Sequence, residues 1–377
     1  MPAPSRGLCV YDIDFPQFWE GRAFDADLMR QYPGAEVIPA LAARLGEQSV
    51  DMITADEYLS KPPPGVTTVV FSNEYTRFTR ELLFERRLRG ALCVSGESPL
   101  VAWRFYANLP RTGVHYDHLA FFPGVRSMLD DPNGFHDFFW PNPDLAVQSP
   151  KRWNERSLLT LINSNKAILG WPRPVFEVSR PKVSLGRWYR ALQANLAQRR
   201  YPWMAADFYL ERLAAIRHFG ACGDFALFGR GWDQPAYNAD ARTQSAIAAA
   251  WRGEIPADGK LATLGEYKFS LCYENTMFPG YITEKIFDCL CAGTIPVYLG
   301  APDVEQYIPA GVFIDHRGFE SLSELEAFLR QMTETEADTY LAAARAFLSA
   351  DEASRFTQEA QVELFATLVM DSLERVR

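Results

Sequence analysis

The sequence predicts an α/β protein of two domains, each a parallel sheet with helices packed against it. Three observations carry that expectation. Short β-rich runs alternate with helix-like stretches in the N-terminal half, and the same rhythm restarts at Leu158 after an aromatic, turn-rich interruption. The length of 377 residues exceeds what a single hydrophobic core usually supports. The first set of strands is expected at Leu8 to Ile13, Val66 to Phe71, Ala91 to Ser95 and His118 to Phe122, with Tyr75 to Arg89 read as a helix. The second set is Leu158 to Ile162, Phe225 to Phe228, Tyr267 to Tyr273, Thr294 to Leu299 and Val312 to Ile314. Between them, Phe135 to Pro150 contains Phe-His-Asp-Phe-Phe-Trp-Pro-Asn-Pro-Asp, so the sheets are expected to part near residues 145 to 157. That gives domains over residues 1–150 and 151–352. In the remaining stretch, 353–377, a helix from about Ser354 carries Val362, Phe365, Leu368 and Val369 on one face, which is expected to pack back on the first domain.

Composition narrows the function. With 48% hydrophobic and 23% charged residues the chain reads as globular throughout. A net charge of -9 excludes a broad nucleic-acid surface, so an anionic ligand must meet a local basic site. Six cysteines, at 9, 93, 222, 272, 289 and 291, lack paired metal-type spacing and read as buried, reduced thiols of an intracellular protein. Cys289 and Cys291 are the closest pair, but a one-residue gap in a helix sends them to different faces, so no metal is expected there. The first residues lead directly into Leu8-Cys9-Val10-Tyr11, and neither a signal peptide nor an apolar span is expected before them. The expected location is cytoplasmic.

The most informative stretch runs Tyr267-Lys268-Phe269-Ser270-Leu271-Cys272-Tyr273-Glu274-Asn275-Thr276, then Met277-Phe278-Pro279-Gly280, then Tyr281-Ile282-Thr283-Glu284-Lys285-Ile286-Phe287-Asp288. It reads as strand, turn and helix start. Open parallel sheets bind ligands beyond the carboxyl ends of their strands, which gathers Glu274, Asn275, Tyr281, Glu284 and Lys285 at one crevice. A lysine in the first turn of a helix opposes the macrodipole and adds to the unpaired amides there, an arrangement that asks for an anion such as a diphosphate. The plain alternative is an exposed lysine paired with Asp288 or Glu284.

This run, with the following Gly293-Thr294-Ile295-Pro296-Val297-Tyr298-Leu299-Gly300, resembles the signature of the family 10 α-1,3/4-fucosyltransferases. The likeness is close over about Leu264 to Asp315 and looser at Gly96-Glu97-Ser98-Pro99 and the helix holding Arg212. It implies a GT-B glycosyltransferase fold, with two Rossmann-like domains whose parallel sheets face an interdomain cleft. It also implies GDP-fucose as donor, inversion at the anomeric centre, and no metal or other cofactor in the catalytic step. Residue by residue, the resemblance makes Lys285 the phosphate-binding lysine and Glu284, Tyr281 and Asn275 donor contacts. Arg212 is the second phosphate-binding cation, with Arg217 as the alternative. Glu97, in a Gly-Glu turn after a strand, becomes the general base, its pKa lifted by partial desolvation. Glu284 contacts the ribose or the positive charge developing on fucose, and counts as a catalytic candidate for the second reason. The implied acceptor is a glycan such as N-acetyllactosamine, modified at the 3- or 4-hydroxyl of N-acetylglucosamine. A lipid-linked acceptor would bring the protein to the inner face of a membrane. A transferase using another nucleotide sugar, or a silent nucleotide-sugar or glycan-binding module, is the competing expectation.

Other signals carry less. His115 and His118 lack a third ligand motif, and Gly229-Arg230-Gly231-Trp232 lacks the Lys-Ser/Thr of a phosphate loop. Phe135, Phe138, Phe139 and Trp140 are expected to pack in the core or linker rather than stack on acceptor sugars. From 166 to 206 the spacing departs from the family, with a Pro-rich basic stretch from Trp171 to Lys182 and a helix with Trp188 and Tyr189. That length is read as a lid or an acceptor-specific insertion.

Overall fold

The computed structural model describes residues 7–143, 145–148, 151–166, 208–236, 239–256 and 259–376. The chain forms two compact units, one of residues 1–97, 102–144 and 353–377, the other of residues 98–101 and 145–352. The Trp171 to Lys182 stretch and the helix expected around Trp188 and Tyr189 lie outside the described residues.

The first unit is built on six parallel strands: β1 Gly7–Asp12, β2 Val50–Thr54, β3 Thr68–Asn73, β4 Arg89–Val94, β5 Tyr116–Phe121 and β6 Phe135–Asp137. Their order is β2-β1-β3-β4-β5-β6. The inner strands are continuous apolar runs because both faces are covered, as in β1, where every residue is buried. Two strands had no clear sequence signal. β2 is a half-exposed edge strand with Asp51 in it, and β6 is three residues long inside the Pro- and Asn-rich stretch read as a linker.

The expected helix over Tyr75 to Arg89 is not there. Glu74 takes a left-handed backbone (φ 65°), and the hydroxyls of Thr76 and Thr79 donate to the buried Asp12 carboxylate, the latter at 2.6 Å. Side-chain capture of the backbone's neighbours competes with helix formation, and regular winding is left to a short π turn at Glu81–Glu85.

The helices Val37–Glu47 and Gln358–Val376 pack together on this sheet. Phe365 is buried with its ring 5.6 Å from Phe71 of β3 and stacked 6.3 Å from Phe138. Phe135, Phe138 and Phe139 are therefore core residues. The C-terminal helix completes this core. Phe365→Ala is expected to destabilise the first unit by about 3–5 kcal/mol, read as a lower urea midpoint; a midpoint unchanged from the parent would show that the helix is dispensable.

The second unit has β7 Ser157–Ile162, β8 Phe225–Phe228, β9 Tyr267–Tyr273, β10 Ile295–Leu299 and β11 Ile314–Asp315, all parallel, in the order β11-β10-β9-β7-β8. Leu159, Leu161, Phe269, Leu271 and Val297 on the strands close its core against Ile216 and Phe219 of the helix Tyr209–Phe219. In both sheets the first strand lies between the second and third. Winding reverses there, and such doubly wound sheets bind ligands beyond the carboxyl ends of the strands at that switch point. The switch points are β1/β3 and β7/β9. None of the six cysteines forms a disulfide, and Cys222 is the one that is not buried. Among the described residues no helix is long and apolar enough to cross a membrane.

Candidate functional site

At the end of β9 the chain enters Glu274 and Asn275, beside the switch point of the second sheet. Glu274 is fully buried, and its backbone N–H donates to Leu299 O of β10 at 2.8 Å. Its carboxylate faces the start of the helix Glu284–Cys291. It accepts from the Thr283 N–H at 2.8 Å, from the Thr283 hydroxyl, and from Lys285 Nζ at 3.0 Å. Lys285 Nζ also donates to Thr283 Oγ1 at 2.8 Å. The anion that the helix start and lysine demand is thus supplied first by the chain itself. Neither Asp288 nor Glu284, named above as the lysine's plain partners, is its closest one. Gly300 makes room for this: a Cβ there would collide with the Tyr298 ring and come within 2.6 Å of Glu274 Cγ.

Arg212 joins the same cluster from the helix Tyr209–Phe219. It is almost fully buried, and one terminal nitrogen donates to the Glu274 carbonyl at 2.5 Å and to Asn275 Oδ1 at 3.1 Å. Asn275 in turn lies 3.4 Å from the hydroxyl of buried Tyr281. Arg217, the alternative, is exposed and pairs with Asp240 at 3.2 Å. Five sequence-derived positions, Arg212, Asn275, Tyr281, Glu284 and Lys285, thus sit in one constellation within the second unit.

Glu284 lies 3.6 Å from Lys285 Nζ and 4.0 Å from Lys260 Nζ. Burial alone would raise its pKa, but these two cations pull it down to about 2. It is a carboxylate at any physiological pH, able to accept hydrogen bonds and unable to give a proton. Burial would lower Lys285 as well, yet Glu274 and Glu284 hold its ammonium charged well above the ordinary range. Lys260, from the helix Lys260–Leu264, also pairs closely with Asp288. Sequence reasoning missed it, since nothing about a lysine 25 positions upstream of Lys285 points to this helix. It also gave Glu274 a place in the crevice without a structural task.

In the first unit Glu97 follows β4. Its N–H donates to Ser95 Oγ at 3.2 Å and its carbonyl accepts from Tyr106 Oη at 3.0 Å. The residue is exposed, so the desolvation expected for its carboxyl is not found. At the end of the neighbouring β3 stands half-buried Glu74, whose carboxyl burial lifts against a hydrogen bond from Ser95.

Other clusters are satisfied. His118 pairs with Asp371 at 2.8 Å and its second ring nitrogen lies 3.2 Å from His136. Gly229 to Trp232 form a turn in which the Trp232 indole donates to Asn163 O. The ligand atoms of His218, Cys222 and Glu326 lie within 4.8 Å of one another. Glu326 already accepts from both His218 and Arg330 at 2.8 Å, and the guanidinium supplies the positive charge a metal would bring.

Residues 210–347 match the family profile "Glycosyltransferase family 10 (fucosyltransferase) C-term", a segment that contains all five of these positions. The matched segment lies within the second unit. Among curated proteins, α-(1,3)-fucosyltransferase 7 of Homo sapiens is 41% identical over 83 residues, 21% of this chain and 24% of that protein. The α-(1,3)-fucosyltransferase FucT of Helicobacter pylori is 37% identical over 78 residues, 21% of this chain and 16% of its own length. The aligned segments thus span less than a quarter of those relatives. Over the whole chain, HepE of Anabaena, solved with UDP and glucose, superposes with a TM-score of 0.55 at 11% identity, covering 97% of this chain and all of the other. A glycosyltransferase of Rickettsia africae gives 0.54 at 8%, covering 98% of each chain. Those likenesses concern the fold, which is GT-B, with two Rossmann-like parallel-sheet units.

The Glu284 shift has a measurable consequence. A carboxyl whose folded pKa is depressed stabilises the protein above its ordinary range near 4.5 and loses that contribution as pH falls toward 2. Thermal midpoints measured from pH 5 to 2 are expected to fall more steeply for the parent than for Glu284→Gln; parallel slopes would show that the lysines do not act on Glu284.

Proposed function

We propose that this protein is an inverting fucosyltransferase. It moves L-fucose from GDP-β-L-fucose to an acceptor glycan, at the 3-hydroxyl of N-acetylglucosamine in an N-acetyllactosamine-type chain. The observation that carries the reading is the clustering of Arg212, Asn275, Tyr281, Glu284 and Lys285 at the switch point of the unit that matches family 10. In this scheme Lys285 and Arg212 hold the diphosphate, Asn275 and Tyr281 bound the donor pocket, and Glu284, fixed as an acceptor, takes hydrogen bonds from ribose hydroxyls. Glu97 takes the proton of the acceptor hydroxyl as its oxygen attacks the fucose anomeric carbon. The bond from that carbon to the phosphate breaks on the opposite side, and GDP leaves with its charge stabilised by the two cations. The step balances without a metal or redox cofactor. Free cysteines fit a reducing compartment, and we place the reaction in the cytoplasm, where a lipid-linked acceptor would be met at the inner face of the membrane.

The test is incubation with GDP-fucose and N-acetyllactosamine followed by mass analysis. A gain of one deoxyhexose, at the 3-position by linkage analysis, is expected; transfer only from another nucleotide sugar would replace the donor assignment. Glu97→Gln is expected to keep GDP-fucose affinity and lose turnover by about 10²- to 10⁴-fold, and near-parent turnover would remove Glu97 from the base role. Lys285→Ala should weaken GDP binding by roughly tenfold or more, measured by calorimetry, and an unchanged affinity would remove the lysine from the phosphates.

A further inference from the structure

The first sheet has its own switch point, beyond the ends of β1 and β3, and Glu74 stands on its lip. Three observations single it out. Its φ of 65° is a conformation that a residue with a Cβ rarely adopts, and such strain persists only where the surroundings enforce it. The surroundings do so here: the Glu74 N–H donates to Val94 O at 2.8 Å, and the next turn is tied down by Thr76 and Thr79 on the Asp12 carboxylate. Ser72 adds a third hydroxyl to Asp12 at 3.1 Å and itself accepts from the Tyr116 hydroxyl at 2.8 Å.

The second observation is a bridge. Ser95 Oγ donates to Glu74 Oε1 at 2.7 Å, and the same oxygen accepts the Glu97 N–H at 3.2 Å. One buried hydroxyl therefore links the Glu74 carboxyl to the backbone of the Glu97 turn. The third is electrostatic. The half-buried Glu74 carboxyl is raised by burial and then by the nearby Glu97 charge, with the Ser95 bond opposing. The other titratable groups facing it are Cys93 of β4 and Tyr106 of the helix Trp103–Thr112, both kept neutral because burial pushes them well up. Asp12, lifted by burial to about 6, is occupied by its three hydroxyls.

We propose that Glu74 is a positioning residue for the acceptor-activating carboxylate: through the Ser95 hydroxyl it fixes the turn that presents Glu97 and sets a second carboxyl beside it. This rests on the reading of Glu97 as general base. A strained glutamate bridged by the Ser95 hydroxyl to the Glu97 turn gains nothing for the sheet, whose buried strands pack without it. Its value is in holding a second negative charge and a rigid hydrogen bond where the acceptor hydroxyl must be deprotonated.

The sign of the effect is fixed. A neighbouring negative charge raises the proton affinity of Glu97, so activity, which needs Glu97 ionised, falls off on the acid side at a higher pH than it would alone. The test is the pH profile of kcat/KM for the parent, Glu74→Gln, Glu74→Asp and Glu97→Gln, with the thermal midpoint confirming that each is folded. Glu74→Gln is expected to move the acid limb down by about one pH unit and lower plateau turnover by roughly ten- to hundredfold; Glu74→Asp should bring the limb back. An unmoved limb in folded Glu74→Gln overturns the proposal while leaving Glu97 as base. Complete loss in Glu74→Gln with Glu97→Gln active makes Glu74 itself the base and overturns both. Should Glu74→Gln fail to fold, Ser95→Ala carries the test: lowered turnover with an unmoved limb supports the bridge, and parent-like turnover overturns it.

Discussion

A fully buried carboxylate at the head of a helix, Glu274, is the constraint on which the second unit's site depends. An ionised carboxyl removed from water costs several kcal/mol unless close partners replace its hydration, and Glu274 finds three in the Thr283 amide, the Thr283 hydroxyl and the Lys285 ammonium. Satisfying it fixes the first turn of Glu284–Cys291 relative to β9. That in turn places Glu284 and Lys285 side by side, while the carbonyl of the same residue receives Arg212. One residue's backbone and side chain thus join strand, helix start and guanidinium.

The charges around it nearly cancel. Lys260, Lys285 and Arg212 stand with Glu274, Glu284 and Asp288, so the site is a set of fixed, ordered charges rather than a loose positive patch. Such an arrangement suits a ligand that develops charge as it leaves, because the dipoles and ammonium need no rearrangement when the bond breaks. It also fits the chain's net charge of -9, which leaves no long-range attraction for polyanions at large. On the proposed reading, selectivity comes from geometry, with Glu284 locked as an acceptor and Arg212 held rigid by carbonyls.

Much of this was legible in the sequence, for physical reasons that can be named. β8 and β9 run over the residues their apolar runs marked, because strands buried on both faces carry few polar interruptions. The spacing of Glu284 and Lys285 from a strand end was enough to bring them to a helix start. What escaped depends on contacts between distant positions. The helix expected over Tyr75 to Arg89 failed because Asp12, some sixty residues earlier, captures Thr76 and Thr79. β2 and β6 are edge strands too short or too polar to stand out. Lys260 and the task of Glu274 appear only once β9 and two helices are assembled. The desolvated carboxyl sought at Glu97 is Glu74, whose burial no local pattern encodes.

On the proposed reading Glu274 holds Lys285 ready for a diphosphate, and titrating GDP into Glu274→Gln by calorimetry tests this most directly. Simple Coulombic reasoning says that deleting a negative charge near a phosphate site tightens anion binding. If ordering of the ammonium dominates, the folded variant binds GDP weaker by about tenfold, roughly 1.4 kcal/mol. Unchanged or tighter binding by a folded Glu274→Gln protein would contradict the account.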